Sequence, residues 1–285
     1  MSRPTIAVTG ASGAVGAAVV AGLADTGEAD VRALVRDPAR APAGADAVRV
    51  ADYADRAALP QALSGADALV FVSSDGEAAP MLVHHINVLD AAVRAGVGRV
   101  VYLSILDVAA DSPFCFAPVH RETERILRDT GLPHTVVRAS VYGEFFARWI
   151  AAAARTGELG LPMGAGRVSL VSRSDVARVL TAAALRVPGG PHLVTGPEGY
   201  DLQGLAALAG RLAGTPVRAA GPEPAEFCAR LLREGVSPWW AYAFTGMFES
   251  IGGQRFAAVT DTAERLTGRA PVPFADTARS MAAPG

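Results

Sequence analysis

Through its first 140 residues the chain alternates short apolar runs with longer stretches of helical spacing. Apolar runs at Thr5–Thr9, Val31–Val35, Ala47–Val50, Ala68–Val72, Arg99–Leu103 and Thr135–Val137 predict six strands. Val15–Ala24, Ala57–Leu63, Pro80–Ala95 and Val119–Thr130 between them predict helices. Continuous rather than alternating apolar strands belong to a sheet buried on both faces, and the strand–helix rhythm makes that sheet parallel. Right-handed crossovers then give a doubly wound α/β architecture, with its ligand beyond the carboxyl ends of the strands.

Beyond about residue 140 the rhythm breaks. Trp149–Arg155, Asp175–Leu185, Leu202–Leu212, Pro224–Glu234 and Thr260–Leu266 predict helices, with short strands near Val168–Val171, His192–Val194 and Val217–Ala219. The pattern divides the chain into a ligand-binding sheet domain over residues 1–140 and a smaller helix-rich cap over residues 141–285. The cap is expected to interleave with the sheet rather than stand alone, since no repeat or low-complexity linker separates them.

Between the first strand and first helix stands Thr9-Gly10-Ala11-Ser12-Gly13-Ala14-Val15-Gly16. Gly10 allows the tight turn, Gly13 lets backbone approach a pyrophosphate, and Gly16 lets helix and strand pack closely. With Ser12 and Val15 in the same turn, the helix start offers N–H groups and a positive dipole end to phosphate. The feature predicts a dinucleotide on a Rossmann sheet. The second strand ends in Val35-Arg36-Asp37-Pro38. A guanidinium at Arg36 matches a 2′-phosphate and favours NADPH over NADH, whereas Asp37 is the alternative ligand, to a ribose diol. Asp52, after the third strand, is placed to meet the adenine. Ser73 and Ser74, after the fourth, lie where the dinucleotide crosses the sheet edge.

The net charge of −2 provides no field for nucleic acid or an anionic membrane, and the expected partner is a small molecule. The apolar run from Arg3 to Ala24 is broken by Gly10, Gly13, Gly16 and Gly22, at spacings that suit strand, turn and helix rather than a leader or a membrane span. Cys115 and Cys228 lack metal or redox spacing, so a reduced, cytoplasmic monomer or homodimer is expected. His84 and His85 have no carboxylate at ligand spacing, and no metal is expected. One count changes the chemistry: all 26 basic residues are arginine, and the chain has no lysine.

Several stretches together resemble the NmrA-like branch of the atypical short-chain dehydrogenases/reductases, and within it the NAD(P)H:quinone oxidoreductases. They are Thr9-Gly10-Ala11-Ser12-Gly13, Ala33-Leu34-Val35-Arg36-Asp37-Pro38, Val100-Val101-Tyr102-Leu103-Ser104, His120-Arg121-Glu122-Thr123-Glu124, and Ser174-Asp175-Val176-Ala177. The resemblance places Ser104 at the catalytic serine of those reductases. Setting Glu124 on the glutamate that follows their Tyr-x-x-x-Lys puts His120 at the lysine and Phe116 at the tyrosine. The usual proton donor is therefore missing, and no lysine elsewhere restores it.

Reducing a simple ketone creates an alkoxide that needs a positioned acid. Reducing a quinone creates an aryloxide, comparable to an ionised tyrosine with a reference pKa of about 10, which leans less on one. The resemblance and the missing relay together imply an NADPH-dependent reductase of a quinone or polycyclic aromatic substrate, an aromatic polyketide being one case. Flavin- and metal-free oxygenation of such an intermediate, and an NADP-sensing regulator without turnover, are the alternatives. Ser104, His120 and Tyr142 are the candidate catalytic residues. His120 either holds the nicotinamide ribose or shuttles a proton, or else is a surface histidine, and Tyr142 either faces the nicotinamide or packs. Phe114, Phe116, Phe146, Trp240 and Phe244 are expected to line a flat apolar pocket, or else to form the core of the cap. Asp175 reads as a helix anchor.

Overall fold

The computed structural model describes residues 3–186 and 189–282. Strands and helices follow in the order β1 (Thr5–Val8), α1 (Ala14–Thr26), β2 (Asp30–Val35), β3 (Ala47–Val50), α2 (Ala58–Leu63), β4 (Ala68–Val72), α3 (Ala78–Arg94), β5 (Val100–Ile105), α4 (Ala117–Asp129) and β6 (His134–Ala139). The chain continues through α5 (Gly143–Thr156), β7 (Glu158–Gly160), α6 (Arg173–Leu185), β8 (Gly189–Val194), α7 (Leu202–Ala213), β9 (Arg218–Ala220), α8 (Pro224–Arg233), α9 (Pro238–Gly252), α10 (Thr262–Thr267) and α11 (Phe274–Ala282).

Seven strands form one parallel sheet in the order β3-β2-β1-β4-β5-β6-β8. The direction of winding reverses between β1 and β4, which opens a crevice at their carboxyl ends. Val8, Val70, Val101 and Val137 pack one face of the sheet against α1 and α6. Ala7, Leu69, Phe71 and Tyr102 pack the other against α2, α3 and α4. Fully apolar strands suit a sheet with both faces covered, and the six predicted strands are all present. The seventh, β8, and the helix α6 come from after residue 140, so the sheet takes chain from both halves.

A third core holds the cap together, where Phe227, Phe248, Trp149 and Phe146 pack among α5, α7, α8 and α9. The predicted strand at Val168–Val171 is instead a pair of isolated bridges, Tyr142 to Val171 and Val168 to Tyr200. Helix α9, foreshadowed only by the helical spacing of Trp240, Phe244 and Phe248, is apolar nearly all round, because one side faces the cap core and another the cavity described below. Such a helix has no amphipathic period to detect.

Two buried carboxylates fasten the cap to the sheet. Asp107, in the loop after β5, accepts hydrogen bonds of 2.5 Å from both Ser112 Oγ and Ser250 Oγ of α9. Asp175 accepts from the Val272 N–H at 2.8 Å and pairs with Arg178, which anchors the C-terminal segment on α6. Ser172 caps α6 by accepting from the Asp175 N–H at 3.0 Å. Among the described residues no helix is long and apolar enough to cross a membrane.

Candidate active site

One cavity of about 730 Å³ follows the carboxyl ends of β1 to β6, from the glycine turn to the cap. Its first half is built by short backbone turns. Gly10 takes φ +59°, which a β-carbon disfavours, and lies against Val72 and Tyr53. A β-carbon on Gly16 would stand 2.3 Å from the Gly10 carbonyl oxygen, so glycine alone lets turn and helix meet. Gly13 is the N-cap of α1, with no side-chain cap and no acidic residue in the first turn. The opening N–H groups of that helix are thus left for a ligand. Ser12, Gly13, Val15 and Gly16 all line the cavity there.

Arg36, Asp52, Ser73 and Ser74 line the same half. Asp37 does not: its carboxylate accepts from the Ala39 N–H at 2.9 Å and caps the single turn Pro38–Arg40. That turn brings a second guanidinium, Arg40, to the cavity, a residue given no role from the sequence. Asp52 accepts from the Ala54 N–H at 2.8 Å. Ser74 Oγ is buried without a partner, a polar atom left for a ligand to satisfy. Tyr53 was also missed. Its hydroxyl donates to the Val72 carbonyl at 2.8 Å and props the base of the turn. The uncapped helix, the paired arginines and the orphan serine fit a dinucleotide.

The second half holds the candidate chemistry. Ser104, at the end of β5, lines the cavity but donates its hydroxyl to Glu124 Oε1 at 2.7 Å. Glu124 in turn takes two bonds from Arg138 on β6, at 2.9 and 2.6 Å. Ser104, expected among the catalytic residues as a hydrogen-bond donor, is therefore corrected in that role: its hydroxyl hydrogen is directed to Glu124, and it offers the cavity a lone pair. The Glu124 side chain is 6 % exposed and that of Arg138 23 %. Glu124→Ala, which strands the guanidinium, is expected to cost about 3 kcal/mol of stability, read by urea unfolding. Glu124→Gln should lose less, because it keeps an oxygen for Ser104.

Of the roles expected for His120, two are excluded: it is neither a neutral-pH proton shuttle nor a surface residue. It is 2 % exposed, and its Nδ1 lies 2.7 Å from the Tyr102 hydroxyl. Desolvation pushes its pKa down to about 3, so the ring stays neutral at ordinary pH. His85, 0 % exposed, is lowered well below its usual value by burial and then by the nearby His120 and His84. In the unfolded chain both protonate near 6.5, so below that pH unfolding takes up protons and stability falls with acid. For His120 the expected slope approaches about 1.4 kcal/mol per pH unit between pH 6 and 4, and His85 adds in the same direction. Urea midpoints in that window, compared with those of His120→Phe, test it.

Tyr142 lines the cavity as the N-cap residue of α5, its phenol raised to about 12 by burial. Arg173, another residue the sequence reading passed over, lies 5.3 Å over the Tyr142 ring and also lines the cavity. Phe114, Phe116, Trp240 and Phe244 converge there with Phe145, Met247 and Phe256. Trp240 and Phe244 stack at 5.5 Å, and Phe116 meets Trp240 edge-on at 6.2 Å. Phe146 is the exception. It lies on another side of α5, fully buried against Phe248 and Phe274, and belongs to the cap core rather than to the pocket.

Residues 10–186 match the NAD(P)H-binding family. Quinone oxidoreductase 2 of Escherichia coli (strain K12) is 37 % identical over 243 residues, covering 81 % of this chain and 82 % of that protein. The crystal structure of NADPH-dependent quinone oxidoreductase QOR2 from Escherichia coli, complexed with NADPH, superposes with a TM-score of 0.91 at 30 % identity over 97 % of this chain and 99 % of that one. A Streptomyces griseus relative, (4-alkanoyl-5-oxo-2,5-dihydrofuran-3-yl)methyl phosphate reductase, is 34 % identical over 278 residues, 95 % of each chain. The glycine turn, the parallel sheet and these matches agree: the chain belongs to the NAD(P)H-binding family, as an NmrA-like oxidoreductase of the quinone oxidoreductase 2 type.

Proposed function

We propose that the protein uses NADPH to reduce quinones and kindred planar, electron-poor acceptors, polycyclic ones included, by direct hydride transfer without a Tyr–Lys relay. The observation that carries this reading is the composition of the acceptor end of the cavity. Its walls are aromatic rings and Phe116 stands at the relay-tyrosine position given by the resemblance; of its polar groups, Ser104 donates to Glu124, His120 is neutral, and burial raises the Tyr142 phenol to about 12 with no lysine beside it. Such a site suits an acceptor whose reduced oxygen is itself a weak base.

When bound, the nicotinamide supplies the hydride. The chain's own residues do the rest. Arg36 and Arg40 would bind the 2′-phosphate and the start of α1 the diphosphate, with Ser73 and Ser74 along the crossing. Trp240, Phe244 and Phe116 hold a flat ring system and exclude water. His120 donates a hydrogen bond to the acceptor oxygen as charge develops on it, and solvent provides the final proton. In this reading residues 1–140 serve the cofactor, and the acceptor is recognised by the cap, residues 141–285, together with the loop after β5.

Arg173 favours a second acceptor class within the same chemistry. A guanidinium that rests on the Tyr142 ring at the acceptor end suits an anionic substituent. The Streptomyces griseus relative is named for a conjugated oxo-dihydrofuran that carries a phosphate.

NADPH oxidation by the purified, flavin-free protein, with dissolved O₂ recorded, tests the proposal. The panel contains simple quinones, polycyclic quinones and a phosphate-bearing unsaturated lactone. Turnover stoichiometric with quinone and unchanged without O₂ is the expected result. Preference for the lactone phosphate supports the second class. Turnover that needs O₂ and oxygenates the substrate makes the protein an oxygenase. Tight NADPH binding with no turnover makes it a sensor.

A further inference from the structure

A polar cluster lies sealed beneath the acceptor end of the cavity, and it contains a tyrosine that the proposed chemistry does not use. Tyr102 sits in β5 between Phe71 of β4 and Val136 of β6, with no exposed surface. Its hydroxyl oxygen is 2.7 Å from His120 Nδ1 on α4 and 3.5 Å from His85 Nδ1 on α3. His85 Nδ1 is 2.8 Å from Thr123 Oγ1, and Thr123 Oγ1 is 2.8 Å from the Val119 carbonyl oxygen.

These distances fix the protons. A carbonyl oxygen only accepts, so the Thr123 hydroxyl donates to Val119. With that proton placed, Thr123 Oγ1 accepts from His85, and His85 Nδ1 carries a hydrogen. A protonated nitrogen cannot accept from Tyr102. The Tyr102 hydroxyl then donates to its nearest acceptor, His120 Nδ1 at 2.7 Å, and the proton of the neutral His120 ring sits on Nε2. His120 lines the cavity, as do Ser104 and Phe116, and Nε2 is the ring atom it has left to offer.

We propose that Tyr102 is a positioning residue: held in direction by His85 and Thr123, it locks His120 in the Nε2–H tautomer and so sets a neutral hydrogen-bond donor at the floor of the acceptor site. A neutral imidazole held in one tautomer polarises a carbonyl without carrying charge. Burial holds the Tyr102 phenol well above its ordinary range, so Tyr102 keeps its proton and acts only through His120. The arrangement separates orientation, set inside the sheet, from contact with the acceptor. Its kinetic consequence rests on the reductase reading, whereas the tautomer itself does not.

Histidine-ring ¹⁵N NMR of the wild-type protein reads the tautomer without turnover. The expected spectrum has His120 Nδ1 bare and Nε2 protonated, unchanged between about pH 5 and 8. A proton on Nδ1 overturns the proposal, whatever the protein reduces. In quinone assays, Tyr102→Phe is expected to lower kcat about tenfold and to leave the KM for NADPH within about twofold. In a His120→Ala background the same change should cost less than about twofold, since the two residues act as one unit. A full tenfold loss in both backgrounds would show that Tyr102 acts independently, and overturns the inference. Should Tyr102→Phe fail to fold, the wild-type spectrum decides. Absence of quinone turnover would sink the reductase reading while the spectrum still settled the tautomer.

Discussion

Replacing Gly16 with alanine is expected to remove tight NADPH binding while leaving most of the fold standing. The added β-carbon would lie 2.3 Å from the Gly10 oxygen, 2.7 Å from the Gly10 carbonyl carbon and 2.9 Å from the Ala11 α-carbon. All three are backbone atoms, so no rotamer change relieves the clash, and the turn must lift from α1. The N–H groups at the start of the helix then no longer converge with the turn. We expect about a hundredfold weaker NADPH binding, equivalent to about 2.7 kcal/mol. Overpacking should cost a further ~1–3 kcal/mol of stability. Gly13→Ala is the comparison: its β-carbon would come no nearer than 3.3 Å to the Gly10 oxygen, so the turn keeps its shape and a loss of binding there reports crowding of the diphosphate itself. Fluorescence titration with NADPH and thermal unfolding of both variants decide the matter. Binding by Gly16→Ala within about threefold of wild type would show that the turn is not the diphosphate site.

The second large effect is on cofactor choice. Arg36→Ala combined with Arg40→Ala is expected to raise the KM for NADPH on the order of 30-fold and to change that for NADH less than about threefold. The figure follows from the loss of charge-assisted bonds to a 2′-phosphate, worth about 1.5–3 kcal/mol before screening. Both arginines are exposed, so the difference should narrow as salt is raised. Asp37 offers no compensation to NADH, since it caps the Pro38–Arg40 turn and stands outside the cavity lining. Equal losses for both cofactors would mean that the two guanidinium groups serve the diphosphate or the fold instead.

The cofactor half of the cavity was legible because it depends on local rules. A strand, three glycines at fixed spacing and a helix start form one contiguous segment, and each glycine answers a steric demand within about ten residues of chain. Arg36 was legible for the same reason, as the residue that ends β2. Arg40 was not assigned, because only the cap that Asp37 places on the turn brings it to the cavity.

The acceptor half was read unevenly. Phe114, Phe116, Trp240 and Phe244 were selected as aromatics in the right segments, and so was Phe146, one residue from the cavity-lining Phe145. Adjacent helical positions point about 100° apart, and a helix whose two sides both meet apolar surroundings gives no sign of which one faces a ligand. His120 and Ser104 were chosen for their chemical types. Their protonation depends on Tyr102, Glu124, Arg138 and His85, which come from four separate elements.

By itself, the amino-acid sequence determined the parallel sheet, the dinucleotide turn and the loss of the Tyr–Lys relay, since runs of apolar residues, glycine spacing and an absent residue type are properties of the chain alone. Only the tertiary structure decided which aromatic side chains face the cavity and that His120 is neutral. It also showed that the Ser104 hydroxyl donates its hydrogen bond to Glu124. Burial and hydrogen-bond direction arise when β5, α3, α4 and β6 pack together, and no single segment carries that information.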